Sequence, residues 1–114
     1  AGRSLGPLDG VPIASKDNFC VQGQVVTAAS RILGSWQSPY SAAVVQTLED
    51  AGAVLVGATN MDEFGMGSGS VYSRFGSVRS PWSLPEGGPG CSDAGPLDLS
   101  AGGSSGGSSC LVAC

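Results

Sequence analysis

The chain has 114 residues and a net charge of −4, and it contains 19 glycines and no histidine. The lack of histidine excludes Ser-His-Asp and Cys-His catalysis, histidine-ligated zinc and a histidine pH switch. Five basic residues against nine acidic ones leave no cluster of positive charge for phosphate groups, so we expect no direct binding of nucleic acid.

The first predicted element is a short strand over residues 8–15, LDGVPIAS, in which Pro12 is typical of a strand end or edge. The polar turn 16–18 follows at the carboxyl end of this strand, where open α/β sheets usually carry their chemistry. Lys16 is the only lysine of the chain. A lone lysine is usually a solvated surface residue. The alternative is a buried, neutral Lys16 that activates a serine hydroxyl in the absence of histidine.

A helix and a second strand come next. Ser41 is predicted to cap a helix over residues 42–51, and Gly52 can supply its left-handed end. The apolar side chains of this helix share one face (Val44, Val45, Leu48 and Ala51). Residues 53–56, AVLV, predict a strand that is buried on both faces. A helix, a glycine and a buried strand form half of a βαβ unit, which indicates an α/β fold with a mostly parallel sheet.

The segment after this strand has weaker signals. Residues 61–64 can form a short helix that leads into a long ordered loop. Asp62 and Glu63 are adjacent, so their side chains diverge on a strand or a helix, and we expect capping and surface hydrogen bonds rather than a carboxylate pair. Residues 84–101 are rich in glycine, proline and serine, and we interpret them as a surface insertion with little fixed structure.

The glycine-rich segment 102–109, GGSSGGSS, allows two interpretations. It has the composition of a flexible linker. An apolar pattern resumes directly at residues 110–113, however, which indicates a glycine-rich turn leading into a helix. Backbone N–H groups of such a turn can point into a cavity and stabilise an oxyanion. A phosphate-binding loop is disfavoured, because no lysine follows the glycines.

The cysteine spacing argues against a zinc site, and the length of the apolar runs argues against a membrane span. The four cysteines form no CxxC pair, so we expect free thiols rather than a zinc site (Cys20, Cys91, Cys110 and Cys114). No apolar run approaches the roughly 18–20 residues of a membrane span, so we expect no membrane partner. The chain begins without methionine and stops within an apolar run at residues 111–114, so both ends are expected to be truncated.

Four segments, taken in order, resemble the amidase signature family. They are GPLDGVPIASKDNF (6–19), AGAVLVGATNMDEFGMGSGS (51–70), FGSVRSPW (75–82) and GGSSGGS (102–108). The resemblance implies the N-terminal part of the amidase signature fold, a mostly parallel or mixed sheet flanked by helices. Residues 1–114 would form a partial amidase domain with the insertion at about 84–101.

The same resemblance implies a Ser-cisSer-Lys triad. Its lysine corresponds to Lys16, and its bridging serine, which precedes a cis peptide bond, corresponds to Ser104. Ser105 would support the hydrogen-bond network. The nucleophilic serine of the family lies beyond the ten residues that follow Ser104, so we expect the isolated chain to be inactive.

Within the family, the version TNMDEFGMGSGS is most similar to the A subunits of glutamyl-tRNA(Gln) amidotransferases. This implies glutamine hydrolysis that supplies ammonia to a B subunit, which uses ATP and Mg²⁺ to convert Glu-tRNA(Gln) to Gln-tRNA(Gln), and a further partner in the form of a small C-like subunit. This chain itself would hold no cofactor and would meet tRNA only through the complex. The insertion is typical of mitochondrial versions and favours the mitochondrial matrix, with the cytoplasm as the alternative. Another amide hydrolase of the family and a non-catalytic truncated product are the other hypotheses.

Overall fold

A computed structural model describes residues 4–83 and 99–114. Its elements are two strands, two α-helices and one 3-10 helix: β1 (Pro12–Lys16), α1 (Ala43–Asp50), β2 (Val54–Thr59), the 3-10 helix (Glu63–Gly65) and α2 (Gly106–Ala113). The α/β class is confirmed. The predicted insertion lies outside the described residues except for residues 99–101. Among the described residues, no helix has the length and apolar character that crossing a membrane requires.

Strands β1 and β2 form a two-stranded parallel sheet, with α1 as the connection between them. The register runs from Pro12 opposite Val54 to Lys16 opposite Thr59, with one shift between Ile13 and Ala14. Because the strands are parallel, their carboxyl ends meet at the same edge of the sheet. The last residue of β1, Lys16, therefore lies beside Thr59.

The first strand begins later than the sequence predicts, because residues 6–11 form a turn. The Asp9 N–H donates to the Gly6 carbonyl at 3.2 Å, and the Gly10 N–H donates to the Gly52 carbonyl at 2.9 Å. Gly10 has a φ of +77°, which extended backbone does not allow. This turn ties the start of β1 to the end of α1 before the ladder to β2 begins.

Helix α1 ends as predicted but begins differently. Gly52 has the expected left-handed conformation, with a φ of +95°. Ala42 is the N-cap residue and makes no side-chain cap, so the prediction that Ser41 caps the helix is wrong. The Ser41 hydroxyl instead accepts the Gln22 N–H at 3.0 Å. The Ser41 oxygen therefore binds a backbone N–H from outside the helix and does not cap it.

The predicted burial of the second strand on both faces is wrong. Val54 and Val56 are 51% and 64% exposed, and Val56 is the extra residue at the shift in register. Helix α2 lies against both strands but leaves these two valines exposed. The buried apolar residues are mostly small and lie largely in loops: Val21, Val26, Ala28, Ala29, Val45, Ala53 and Met61.

Candidate active site

Lys16 and the serines of the glycine-rich segment meet at the carboxyl edge of the sheet. The Lys16 Nζ lies 2.7 Å from the Ser104 Oγ and 2.8 Å from the Ser105 Oγ. Lys16 is half-buried, so it is not the solvated surface lysine of the first interpretation. Some 88 residues separate Lys16 from Ser104 along the chain, and the fold brings together all three side chains that the resemblance singled out.

The glycine-rich segment is a turn that leads into α2, and the linker interpretation is wrong. Ser105 is the N-cap residue, and the helix begins at Gly106. Two of the first N–H groups of this helix do not face a cavity. The Gly106 N–H donates to the Gly103 carbonyl at 3.1 Å, and the Gly107 N–H donates to the Asn60 carbonyl at 3.2 Å. These two donors hold the turn in place and are not free for an oxyanion.

Two glycines of this turn are needed for close packing against residues 60–70. A methyl group on Gly106 would overlap the Ser70 Oγ, and one on Gly107 would overlap the Asn60 carbonyl oxygen. The turn therefore lies directly on the segment that follows β2. Side chains at either position would push Ser104 and Ser105 away from Lys16.

The peptide bonds of the described residues are all trans, so the cis bond expected at Ser104 is not found. A cis bond without proline costs about 2.5–4 kcal/mol and needs surroundings that hold it in place. In this structure the trans backbone already brings the hydroxyls of Ser104 and Ser105 to Lys16. The expectation of a cis-serine is therefore corrected, and the pairing of the lysine with both serines does not depend on it.

A buried carboxylate follows Lys16 directly. Asp17 is 6% exposed and accepts the N–H groups of Thr27 and Ala29 at 3.0 and 3.1 Å, as well as the Thr27 hydroxyl. Its own carbonyl accepts the Ala28 N–H at 2.9 Å. Asp17 thus attaches a loop to the end of β1 beside Lys16. The sequence predicts a polar turn at Asp17, and an acid directly after an apolar strand is the signal that could have indicated its role.

A second carboxylate, Asp62, was expected at the surface but is fully buried. It accepts the N–H groups of Ser70 and Tyr72, each at 2.9 Å. Glu63 accepts the Ser30 hydroxyl at 2.6 Å instead, so the two acids diverge as predicted. The role of Asp62 in hydrogen bonding is confirmed, whereas its surface position is wrong, because loop 66–72 folds over it.

The remaining candidate groups offer no second centre among the described residues. Cys20, Cys110 and Cys114 are unpaired thiols, and no three potential metal ligands cluster within residues 4–83 and 99–114. Cys91 lies outside the described residues. A hydrogen bond to Cys20 and the negative charge of the Cys20 thiolate raise the pKa of Tyr40.

A cavity of about 260 Å³ opens beside Lys16 and Ser105. Most of its other lining side chains are apolar, among them Ile13, Phe19 and Leu48. A mostly apolar cavity with a few convergent polar groups is typical of a small-molecule site. The amine and the hydroxyl are therefore accessible from a hollow of the surface.

Comparisons with known proteins show the family of this chain. A family model described as Amidase matches residues 1–114. The chain is 55% identical to the A subunit of the mitochondrial glutamyl-tRNA(Gln) amidotransferase of Xenopus laevis, over 97% of this chain and 22% of that protein. It is 50% identical to the A subunit of the glutamyl-tRNA(Gln) amidotransferase of Thermobifida fusca, over 99% of this chain and 20% of that protein. The chain thus spans about a fifth of the length of these relatives.

Solved structures give the same result. The structure of the glutamyl-tRNA(Gln) amidotransferase A subunit from Thermotoga maritima superposes with a TM-score of 0.77 at 41% identity, covering 94% of this chain and 21% of that one. The structure of 6-aminohexanoate cyclic dimer hydrolase superposes with a TM-score of 0.78 at 33% identity, covering 95% and 20%. By sequence and by fold, the chain belongs to the amidase family.

Proposed function

We propose that this chain contributes the base and the relay of an amide-hydrolysing site, with Lys16 as the base and Ser104 as the relay. The nucleophilic serine lies beyond Cys114 in the intact protein. The observation that supports this proposal is the 2.7 Å hydrogen bond between the Lys16 Nζ and the Ser104 Oγ. An amine in direct contact with a serine hydroxyl is a known way to activate a nucleophile without histidine.

The Lys16 Nζ donates to both serine hydroxyls, at 2.7 Å to the Ser104 Oγ and at 2.8 Å to the Ser105 Oγ. In the proposed reaction Lys16 acts as a neutral amine, whose lone pair accepts a proton from Ser104 while one of its N–H groups still donates to Ser105. Ser104 then takes the proton of the nucleophilic serine, whose oxygen attacks the amide carbon. The proton returns through Ser104 to the leaving nitrogen, which departs as ammonia. Water cleaves the resulting ester by the same route and releases the acid.

We further propose that the amide is that of glutamine and that the intact protein is the A subunit of a glutamyl-tRNA(Gln) amidotransferase. Identities of 50–55% to relatives with that name support this assignment. Ammonia would pass to a B subunit that uses ATP and Mg²⁺ to convert Glu-tRNA(Gln) to Gln-tRNA(Gln), with a C-like subunit in the complex. Mitochondrial relatives support the mitochondrial matrix as its location, and bacterial relatives keep the cytoplasm as the alternative.

A second candidate is hydrolysis of another amide without a partner protein. The observation in its favour is the TM-score of 0.78 to 6-aminohexanoate cyclic dimer hydrolase. The TM-score to the Thermotoga maritima protein is almost the same, at 0.77. The fold of this part of the chain is therefore common to both activities. Substrate choice must be tested on the intact protein.

The test of the base is replacement of Lys16 in the intact protein together with its partner subunits. We expect Lys16→Ala and Lys16→Arg to lower ammonia release from glutamine about a thousandfold, since general base catalysis contributes about 10²–10⁴ and a guanidinium cannot accept a proton. Arg31→Ala removes an equal charge from an exposed turn and is the matched control. Near-normal activity of Lys16→Ala would overturn the proposal.

The test of the substrate compares glutamine with a simple aliphatic amide such as hexanamide. We expect ammonia release from glutamine only, coupled to formation of Gln-tRNA(Gln) when the B subunit, ATP and Mg²⁺ are present. Turnover of hexanamide without partner subunits would favour the second candidate. The 114-residue chain by itself is expected to release no ammonia from either amide.

A further inference from the structure

We propose that Ser70 is a positioning residue that places Ser104 and Ser105 against Lys16. This inference rests on the proposed function and deepens it. Ser70 is fully buried, and its side chain lies directly beneath the turn that carries the two serines. Within the described residues, its hydroxyl bonds only to backbone groups, so it acts on the site through the chain and not on the reacting atoms.

The Ser70 hydroxyl binds the turn on both sides of the serine pair. The hydroxyl shares its single O–H proton between the carbonyl of Gly102, at 3.0 Å from the Oγ, and that of Gly103. It accepts the Gly106 N–H at 3.1 Å. The residues between these contacts are Ser104 and Ser105. One hydroxyl therefore determines where the backbone enters and leaves the pair that contacts Lys16.

Ser70 is itself held in an unusual conformation by a buried charge. Its φ of +54° lies in the left-handed region, which strains a residue other than glycine. The Asp62 carboxylate accepts the N–H groups of Ser70 and Tyr72 and keeps this conformation in place. A methyl group on Gly67 would overlap the same carboxylate, so the loop is closely packed around it. Asp62 thus anchors Ser70, and Ser70 anchors the turn.

Removal of the Ser70 hydroxyl would take one hydrogen-bond partner from each of the three backbone groups of the turn that it contacts. The Gly106 N–H would keep only its bond to the Gly103 carbonyl, and the Gly102 carbonyl would lose its contact with Ser70. The turn then loses the hydrogen bonds that hold it on both sides of the serine pair, so it is expected to shift away from Lys16. A shift of about 1 Å in a catalytic group can lower a rate about a hundredfold.

The test is steady-state kinetics of Ser70→Ala in the intact protein with its partner subunits. We expect kcat for glutamine hydrolysis to fall about tenfold to a hundredfold, while KM for glutamine stays within about threefold, because the hydroxyl acts on the relay and not on the substrate. Ser35→Ala, in an exposed turn, is the matched control and should leave both constants unchanged. An unchanged kcat in folded Ser70→Ala, or a rise in KM alone, would overturn the inference.

Two further variants keep the test independent of folding. Ser70→Gly also removes the hydroxyl but accepts the left-handed backbone without strain, so the same loss of kcat is expected in a protein of normal thermal stability. Ser70→Cys keeps a weak donor and acceptor and should recover part of kcat. Normal kcat in Ser70→Gly would contradict the inference. Activity that survives Lys16→Ala would instead contradict the proposed function, so the two failures are distinguishable.

Discussion

The two halves of the candidate site are held by different kinds of interaction. Lys16 is the last residue of β1 and is fixed by a parallel ladder to β2, with Thr59 as its partner in the register. Ser104 and Ser105 lie in a turn that is fixed by the Ser70 side chain and by glycines in close contact with residues 60–70. The first half depends on regular backbone pairing, and the second depends on contacts that each involve a particular side chain or its absence.

Each half of the candidate site also contains a buried carboxylate that accepts backbone N–H groups of a loop. Asp17 accepts backbone N–H groups of a loop beside Lys16, and Asp62 does the same for the loop that presents Ser70. Hydrogen bonds to a charged group contribute about 1.5–3 kcal/mol each, roughly twice the value of neutral ones. An irregular loop can therefore be as well defined as a strand where a buried acid collects its N–H groups.

Within the serine half, the largest effect is expected at Ser104. Ser104→Ala in the intact protein should lower kcat/KM for glutamine hydrolysis about a hundredfold to a thousandfold, because it removes the relay between the nucleophile and Lys16. Ser105→Ala should cost less, since Ser105 only orients the amine. The exposed Ser77→Ala is the control. Equal losses for Ser104→Ala and Ser105→Ala would show that the two hydroxyls do not have separate roles.

A stability effect is expected next, at the end of α1. Gly52→Ala combines a φ of +95° with a methyl group only 2.7 Å from the Asp9 Cα, so we expect a loss of about 2–5 kcal/mol in the free energy of unfolding. Gly10→Ala has a φ of +77° but open space around it and should lose only about 1 kcal/mol. Denaturation midpoints of both variants check the prediction. Equal midpoints would mean that the packing of residue 52 against residue 9 adds nothing to the backbone strain.

The smallest effect is expected inside the turn. A methyl group on Gly107 would overlap the Asn60 carbonyl oxygen and lie 2.7 Å from the Asn60 nitrogen. In Gly107→Ala, this overpacking should lower the free energy of unfolding by about 1–3 kcal/mol. The better helix propensity of alanine should offset up to about 1 kcal/mol of that loss. Gly103→Ala, whose nearest neighbour would be 3.9 Å away, should leave the midpoint unchanged. A neutral Gly107→Ala would mean that the turn does not need this close approach.

Local pattern was sufficient to predict the β1, α1 and β2 unit and its left-handed Gly52, because backbone hydrogen bonding and helical periodicity are properties of neighbouring residues. Predictions from local pattern were wrong where a group that is distant along the chain contacts the residue. Ser41 caps nothing because its oxygen accepts the Gln22 N–H, and Asp62 is buried because loop 66–72 folds over it. Burial of β2 was overestimated because an apolar run does not show which of its faces another element covers.

The sequence by itself determined the chemistry that this protein can use. Within these 114 residues, one lysine, no histidine and a serine pair in a glycine-rich segment favour an amine and hydroxyls as the catalytic groups, and the order of the motifs identifies the family. Only the tertiary structure decided which groups meet. The 2.7 Å contact between Lys16 and Ser104 spans 88 residues, and no local periodicity carries information over that separation. It depends on the parallel register of the sheet and on one buried hydroxyl, that of Ser70, beneath the turn.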